Sequence, residues 1–94
     1  MTTLEKDIER KLRQMVEAHK GLCLKWVCPG WVGVPDRIVL LPGGRIIFVE
    51  LKRPKGGRLS RMQLWWQEKL INLGFLVVVI WNTNHLELFK EAVL

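Results

Sequence analysis

Pro35-Asp36-Arg37-Ile38-Val39-Leu40-Leu41-Pro42-Gly43-Gly44-Arg45-Ile46-Ile47-Phe48-Val49-Glu50-Leu51-Lys52 is the stretch that decides the fold. Two apolar runs, 37–41 and 45–52, flank a Pro-Gly-Gly break, the pattern of a β-hairpin. Asp36 and Glu50 stand at the outer ends of the two strands, so pairing sets them side by side. Glu50 and Lys52 are two residues apart on a strand, where side chains alternate faces, so they point the same way. Taken singly, these features have ordinary readings: an Asp after Pro is a common turn residue, and Glu-x-Lys a common solvated strand face. Their combination at the two ends of one hairpin is harder to explain that way. Two carboxylates about 4 Å apart repel by roughly 4 kcal/mol at an effective dielectric near 20. One lysine offsets this only in part, and a bound divalent cation would remove it.

The flanking sequence supplies the rest of an α/β domain. Leu4, Ile8, Leu12, Met15 and Val16 recur at helical spacing and predict a helix over 3–19, with Thr2 and Glu5 as its capping box. Glu5 lies roughly 50° from the centre of the apolar stripe and Glu9 roughly 90°, at 100° per residue. Leu22 to Cys28 reads as a strand, with Leu22, Leu24 and Trp26 on one face. The segment 29–35 is loop-like, and its Trp31 is either a lid over the core or an exposed aromatic that stacks on a base. Ser60 and Gln63 form a second capping box, opening a helix that runs to Leu73 with Gly74 as its C′ residue. Met62, Trp65, Trp66, Leu70 and Leu73 are expected to face the sheet, leaving Leu64 and Ile71 as an apolar pair suited to a subunit contact. Phe75 to Trp81 is continuously apolar, which predicts a central strand buried on both faces. After an Asn82-Thr83-Asn84 turn, 86–93 reads as a short closing helix. The resulting order, αβββα and a final strand and helix, implies a mixed sheet flanked by helices, with 1–94 as one domain.

Bulk properties narrow the function classes. The net charge is +6 over 94 residues, which favours a polyanionic partner. From Lys52 to Arg61 the charged residues Lys52, Arg53, Lys55, Arg58 and Arg61 are all basic, and Gly56 and Gly57 make the segment a flexible loop. A solvated loop is the ordinary reading. A phosphate-contacting loop fits better, because it leaves directly from the acidic pair. The two cysteines, Cys23 and Cys28, lack any spacing that suits zinc, and His19 and His85 are isolated. No apolar stretch reaches the length of a membrane span and the first residues do not read as a secretory signal, so a cytoplasmic location is expected.

Gly33-Val34-Pro35-Asp36-Arg37-Ile38, Phe48-Val49-Glu50-Leu51-Lys52-Arg53-Pro54 and the Ser60-x-x-Gln63 helix start together resemble the VRR-NUC (virus-type replication-repair nuclease) family. That family lies within the PD-(D/E)XK superfamily, whose core is restriction-endonuclease-like, and the resemblance covers nearly the whole chain. It implies a magnesium- or manganese-dependent endonuclease acting on DNA, with Asp36, Glu50 and the Leu51 carbonyl as metal ligands. It also implies that Lys52 handles the attacking water and the phosphate charge, that Glu5 is the helix-one acid with Glu9 as fallback, and that Gln63 supports the site. Arg37, Arg53, Lys55, Arg58 and Arg61 are then the expected DNA contacts. Members of this size look phage-like, which favours a homodimer cutting branched DNA such as four-way (Holliday) junctions, in the host cytoplasm.

Overall fold

A computed structural model describes residues 5–53 and 56–94. Helix α1 (Glu5–Ala18) is followed by strands β1 (Leu22–Lys25), β2 (Arg37–Leu41) and β3 (Arg45–Leu51). Helix α2 (Arg61–Asn72), strand β4 (Leu76–Ile80) and helix α3 (Thr83–Val93) complete the chain. The four strands form one sheet in the order β1-β2-β3-β4. The first two pairings are antiparallel and β3–β4 is parallel, as a helical crossover between them requires. This is the mixed, helix-flanked α/β sheet expected from the hairpin outward.

Local chemistry explains most element ends. Ser60 caps α2: its hydroxyl accepts from the Gln63 N–H while its own N–H donates to the Gln63 side chain. Gly74, with φ 97°, takes the chain out of the helix. Asn82 caps α3 by accepting from the His85 N–H, so this helix begins earlier than the expected 86. Strand β1 is shorter than expected because the chain turns away after Trp26, whose N–H still donates to the Asp36 carbonyl at 2.9 Å. The proposed Thr2 cap lies outside the described residues.

The two faces of the sheet are covered unequally. On one, Val39, Ile47, Val49, Leu51 and Ile80 pack against Ile8, Leu12 and Val16 of α1 and Leu86 and Phe89 of α3, all buried. On the other lies α2 alone. A helix about 10 Å across covers about two strands spaced at 4.8 Å, so the β1–β2 side stays open, and Leu22, Leu24 and Ile46 are 55%, 45% and 40% exposed.

Two expectations about burial are corrected. Strand β4 is the sheet edge rather than a central strand, and Leu76 is 48% exposed. A continuous apolar run signals burial of both faces but not the number of neighbours. Leu73 and Trp65 do not turn fully to the sheet: Leu73 sits at the end of α2, beyond the strands, and is 73% exposed. No helix among the described residues is long and apolar enough to cross a membrane.

Candidate functional site

The β2–β3 register pairs Arg37 with Val49, which sets Asp36 beside Glu50 at the outer ends of the hairpin. The Asp36 carboxylate accepts the Leu51 N–H at 2.8 Å, fixing it across the strand end. Glu50 alternates with the buried Phe48 on the α2 face and is itself only 2% exposed. Lys52 shares that face, its Nζ 3.6 Å from Glu50 Oε1. The third contact comes from α2, where Gln63 Nε2 donates to Glu50 Oε1 at 2.6 Å.

One side chain therefore does two jobs. Gln63 Oε1 accepts the Ser60 N–H at 2.8 Å, which starts the helix, and its amide nitrogen is left for Glu50. Glutamate could make the cap but not the second bond, since an ionised carboxylate has no donor. Capping and site support are two readings of Gln63 in sequence; the structure shows the cap and, beside it, a bond to Glu50.

Burial pushes the Glu50 carboxyl up from its usual value near 4.5 to about 8, and the charge and hydrogen bond of Asp36 push the same way, while Lys52 opposes them. At neutral pH this favours the protonated form of Glu50. The two carboxyl groups offer hard oxygen donors, the ligand class that magnesium and manganese take. The residues fit a divalent ion of this kind. Among the described residues no group of three or more His, Cys, Asp or Glu is placed to hold a metal.

The helix-one acids come in from α1. Glu5 and Glu9 line a cleft with Lys6, Arg37 and Leu51, on the α1 side of the strand ends. Glu9 lies 3.7 Å from the Arg37 guanidinium and 3.8 Å from that of Arg13. Neither acid is brought into the Asp36–Glu50 pair. Arg37, expected as a DNA contact, also donates to the Asp36 carbonyl at 3.0 Å and is largely buried, so it braces the β2 end. Its alternation with Val39 could have revealed that it faces α1. Arg53, Arg58 and Arg61 are exposed beside the site, and Lys55 lies outside the described residues.

The remaining candidates keep structural roles. His19 contacts the Met15 carbonyl, and His85 Nδ1 accepts the Trp81 N–H at 3.0 Å. Cys23 and Cys28 are free thiols, and burial raises Cys23 to about 11, which leaves it unreactive. What sequence reasoning did not assemble is an aromatic arc beside Gln63. Trp31 and Trp65 both meet Trp66 edge-on, at 5.6 Å and 5.3 Å, and Trp26 links Trp66 to Phe48.

No family model matches the chain. Over 76 residues it is 45% identical to "Putative nuclease p44" of Acyrthosiphon pisum secondary endosymbiont phage 1, an alignment covering 81% of each protein. A solved structure described as a VRR_NUC domain superposes with a TM-score of 0.87 at 28% identity, over 98% of this chain and 100% of that one. With its hairpin acids, Glu50-x-Lys52 and Gln63 gathered in the matching fold, the chain belongs to the VRR-NUC family of nucleases.

Proposed function

We propose that the protein is a magnesium- or manganese-dependent endonuclease that hydrolyses phosphodiester bonds in branched DNA, four-way junctions included, as a homodimer. The observation that carries the reading is the convergence of Asp36, Glu50, Lys52 and Gln63 at one sheet end, with Glu50 buried and carrying a raised pKa. Asp36, Glu50 and the Leu51 carbonyl would hold the ion. When bound, it would polarise the phosphate and make water a stronger nucleophile at neutral pH. Lys52 positions the attacking water and offsets charge that builds on the phosphate. Gln63 holds Glu50 in place, and Glu5, from the α1 side, acts through water. Arg53, Arg58 and Arg61, with Lys55, would carry the DNA backbone.

Leu64 and Ile71, 51% and 54% exposed on α2, offer the second copy a surface. Charged replacements there should yield monomers in sedimentation, and an unchanged profile would discard that interface. The activity itself is tested with end-labelled linear, flap, splayed and four-way DNA plus magnesium or manganese. Mapped cuts confined to branches support the proposal. Equal cutting of linear duplex would make this a nicking or restriction-like nuclease without branch preference. Binding without any cut would leave a catalytically silent module.

A further inference from the structure

The loop between β1 and β2 hangs from the strand end that bears Asp36, and three local features make it rigid. Pro29 and Gly30 form the corners of a turn in which the Trp31 N–H donates to the Cys28 carbonyl at 3.1 Å, and Gly30 has the positive φ of 85° that a type II turn demands. One residue on, the Val32 carbonyl accepts the Trp66 indole N–H at 2.9 Å. Next, Gly33 packs against the first turn of α2. A Cβ there would lie 2.7 Å from Met62 and 2.9 Å from the Gln63 nitrogen, so no side chain fits. The loop is thereby fastened to the helical turn whose Gln63 grips Glu50.

Trp31 projects from this fastened loop. It lies two residues from Gly33, within about 7 Å of chain from the Gln63 turn. Its ring meets Trp66 edge-on at an interplanar angle of 83°, and the residue stays 56% exposed. A lid would bury its ring against the core. Instead Trp31 is tied through Val32 and Gly33 to the α2 turn that carries Gln63, and is left open there. In duplex DNA every base face is already stacked on its neighbours. A fixed, open indole can gain stacking only from a base that has lost a neighbour, as at a branch, flap or end.

We propose that Trp31 is a stacking platform that selects DNA with an unpaired or end-exposed base beside the scissile phosphate. This rests on the reading of the chain as a DNA nuclease and adds the residue that distinguishes branched from continuous DNA. Trp31 acts as a positioning residue, touching the base rather than the reacting atoms.

The test compares wild type with Trp31→Ala and Trp31→Phe, each checked for fold by its thermal melting. Binding is measured in calcium buffer on linear duplex, on a four-way junction and flap, and on the same branched DNAs with abasic sites at the branch nucleotides. Trp31→Ala should weaken branched-DNA binding about tenfold. It should leave linear duplex nearly unchanged, and Trp31→Phe should recover part of the loss. On abasic branches wild type and Trp31→Ala should bind alike, because the stacking partner is gone. Equal losses on branched and linear DNA, a loss that persists on abasic branches, or no loss at all would each overturn the proposal. Wild-type cleavage with magnesium, run in parallel, reads the nuclease assignment separately: cutting that ignores Trp31 sinks only the platform, whereas no binding and no cutting sinks both.

Discussion

The two faces of this sheet solve different problems. The α1–α3 face is aliphatic and closed, and Ile8, Leu12, Val16, Val39, Val49 and Ile80 are fully buried there. The α2 face is aromatic and half open, with Trp26, Phe48, Trp66 and Phe75 in tilted or edge-on contact along it. Glu50 stands on the second face. On the proposed reading, a carboxyl that meets solvent ions and a phosphate cannot sit under two helices, yet it must be dry enough to be perturbed. One helix over four strands meets both needs: α2 buries Glu50 and supplies Gln63 while leaving the strand ends approachable. The aliphatic core is concentrated on one face and the proposed site on the other.

Separating the faces by mutation gives the largest effect first. Glu50→Gln or Lys52→Ala should abolish cleavage while DNA binding and the melting temperature persist; cutting at the parent rate by either variant would erase the division of labour. On the closed face, Leu12→Ala should cost about 2–5 kcal/mol. Leu24→Ala, on the open face, should cost about 1 kcal/mol or less. Denaturant titration of the two reads the contrast, and similar costs would mean that the open face is covered in solution.

The raised Glu50 pKa gives a signed pH dependence. Between its usual 4.5 and about 8, the folded protein keeps a proton that the unfolded chain releases. The metal-free protein should therefore lose stability as pH rises through that window. Metal binding displaces the same proton, so affinity for manganese should rise about tenfold per pH unit until about 8. Melting and metal titrations from pH 5 to 9 should show both trends, and Glu50→Gln should flatten the first. The smallest effect is expected from Gln63→Glu. It keeps the Ser60 cap but replaces an amide donor with a carboxylate facing Glu50, so melting should barely move while cleavage drops. Unchanged cleavage would reduce Gln63 to a cap alone.

How much of this was legible in sequence follows from the range of each interaction. The hairpin, the Ser60–Gln63 cap and Gly74 are written in neighbouring residues, and each appears where the sequence placed it. The Asp36–Glu50–Lys52 patch was legible because strand alternation and hairpin pairing are geometric rules. The edge position of β4 was not, since apolarity records a demand for burial and not which strand pairs beside it. Nor was the exposure of Leu22 and Leu24: the alternation is plain, but how many strands α2 can cover depends on helix width. The bracing role of Arg37 was hidden for a related reason, because its partner Glu9 belongs to an element 28 residues away.

Occupancy of the acid pair by a divalent ion decides whether this is a metal-dependent nuclease site. Crystals soaked in manganese should show an anomalous peak bounded by Asp36, Glu50 and the Leu51 carbonyl, and no such peak in Glu50→Gln. A peak at another site, or none at concentrations that support cleavage, would contradict that assignment.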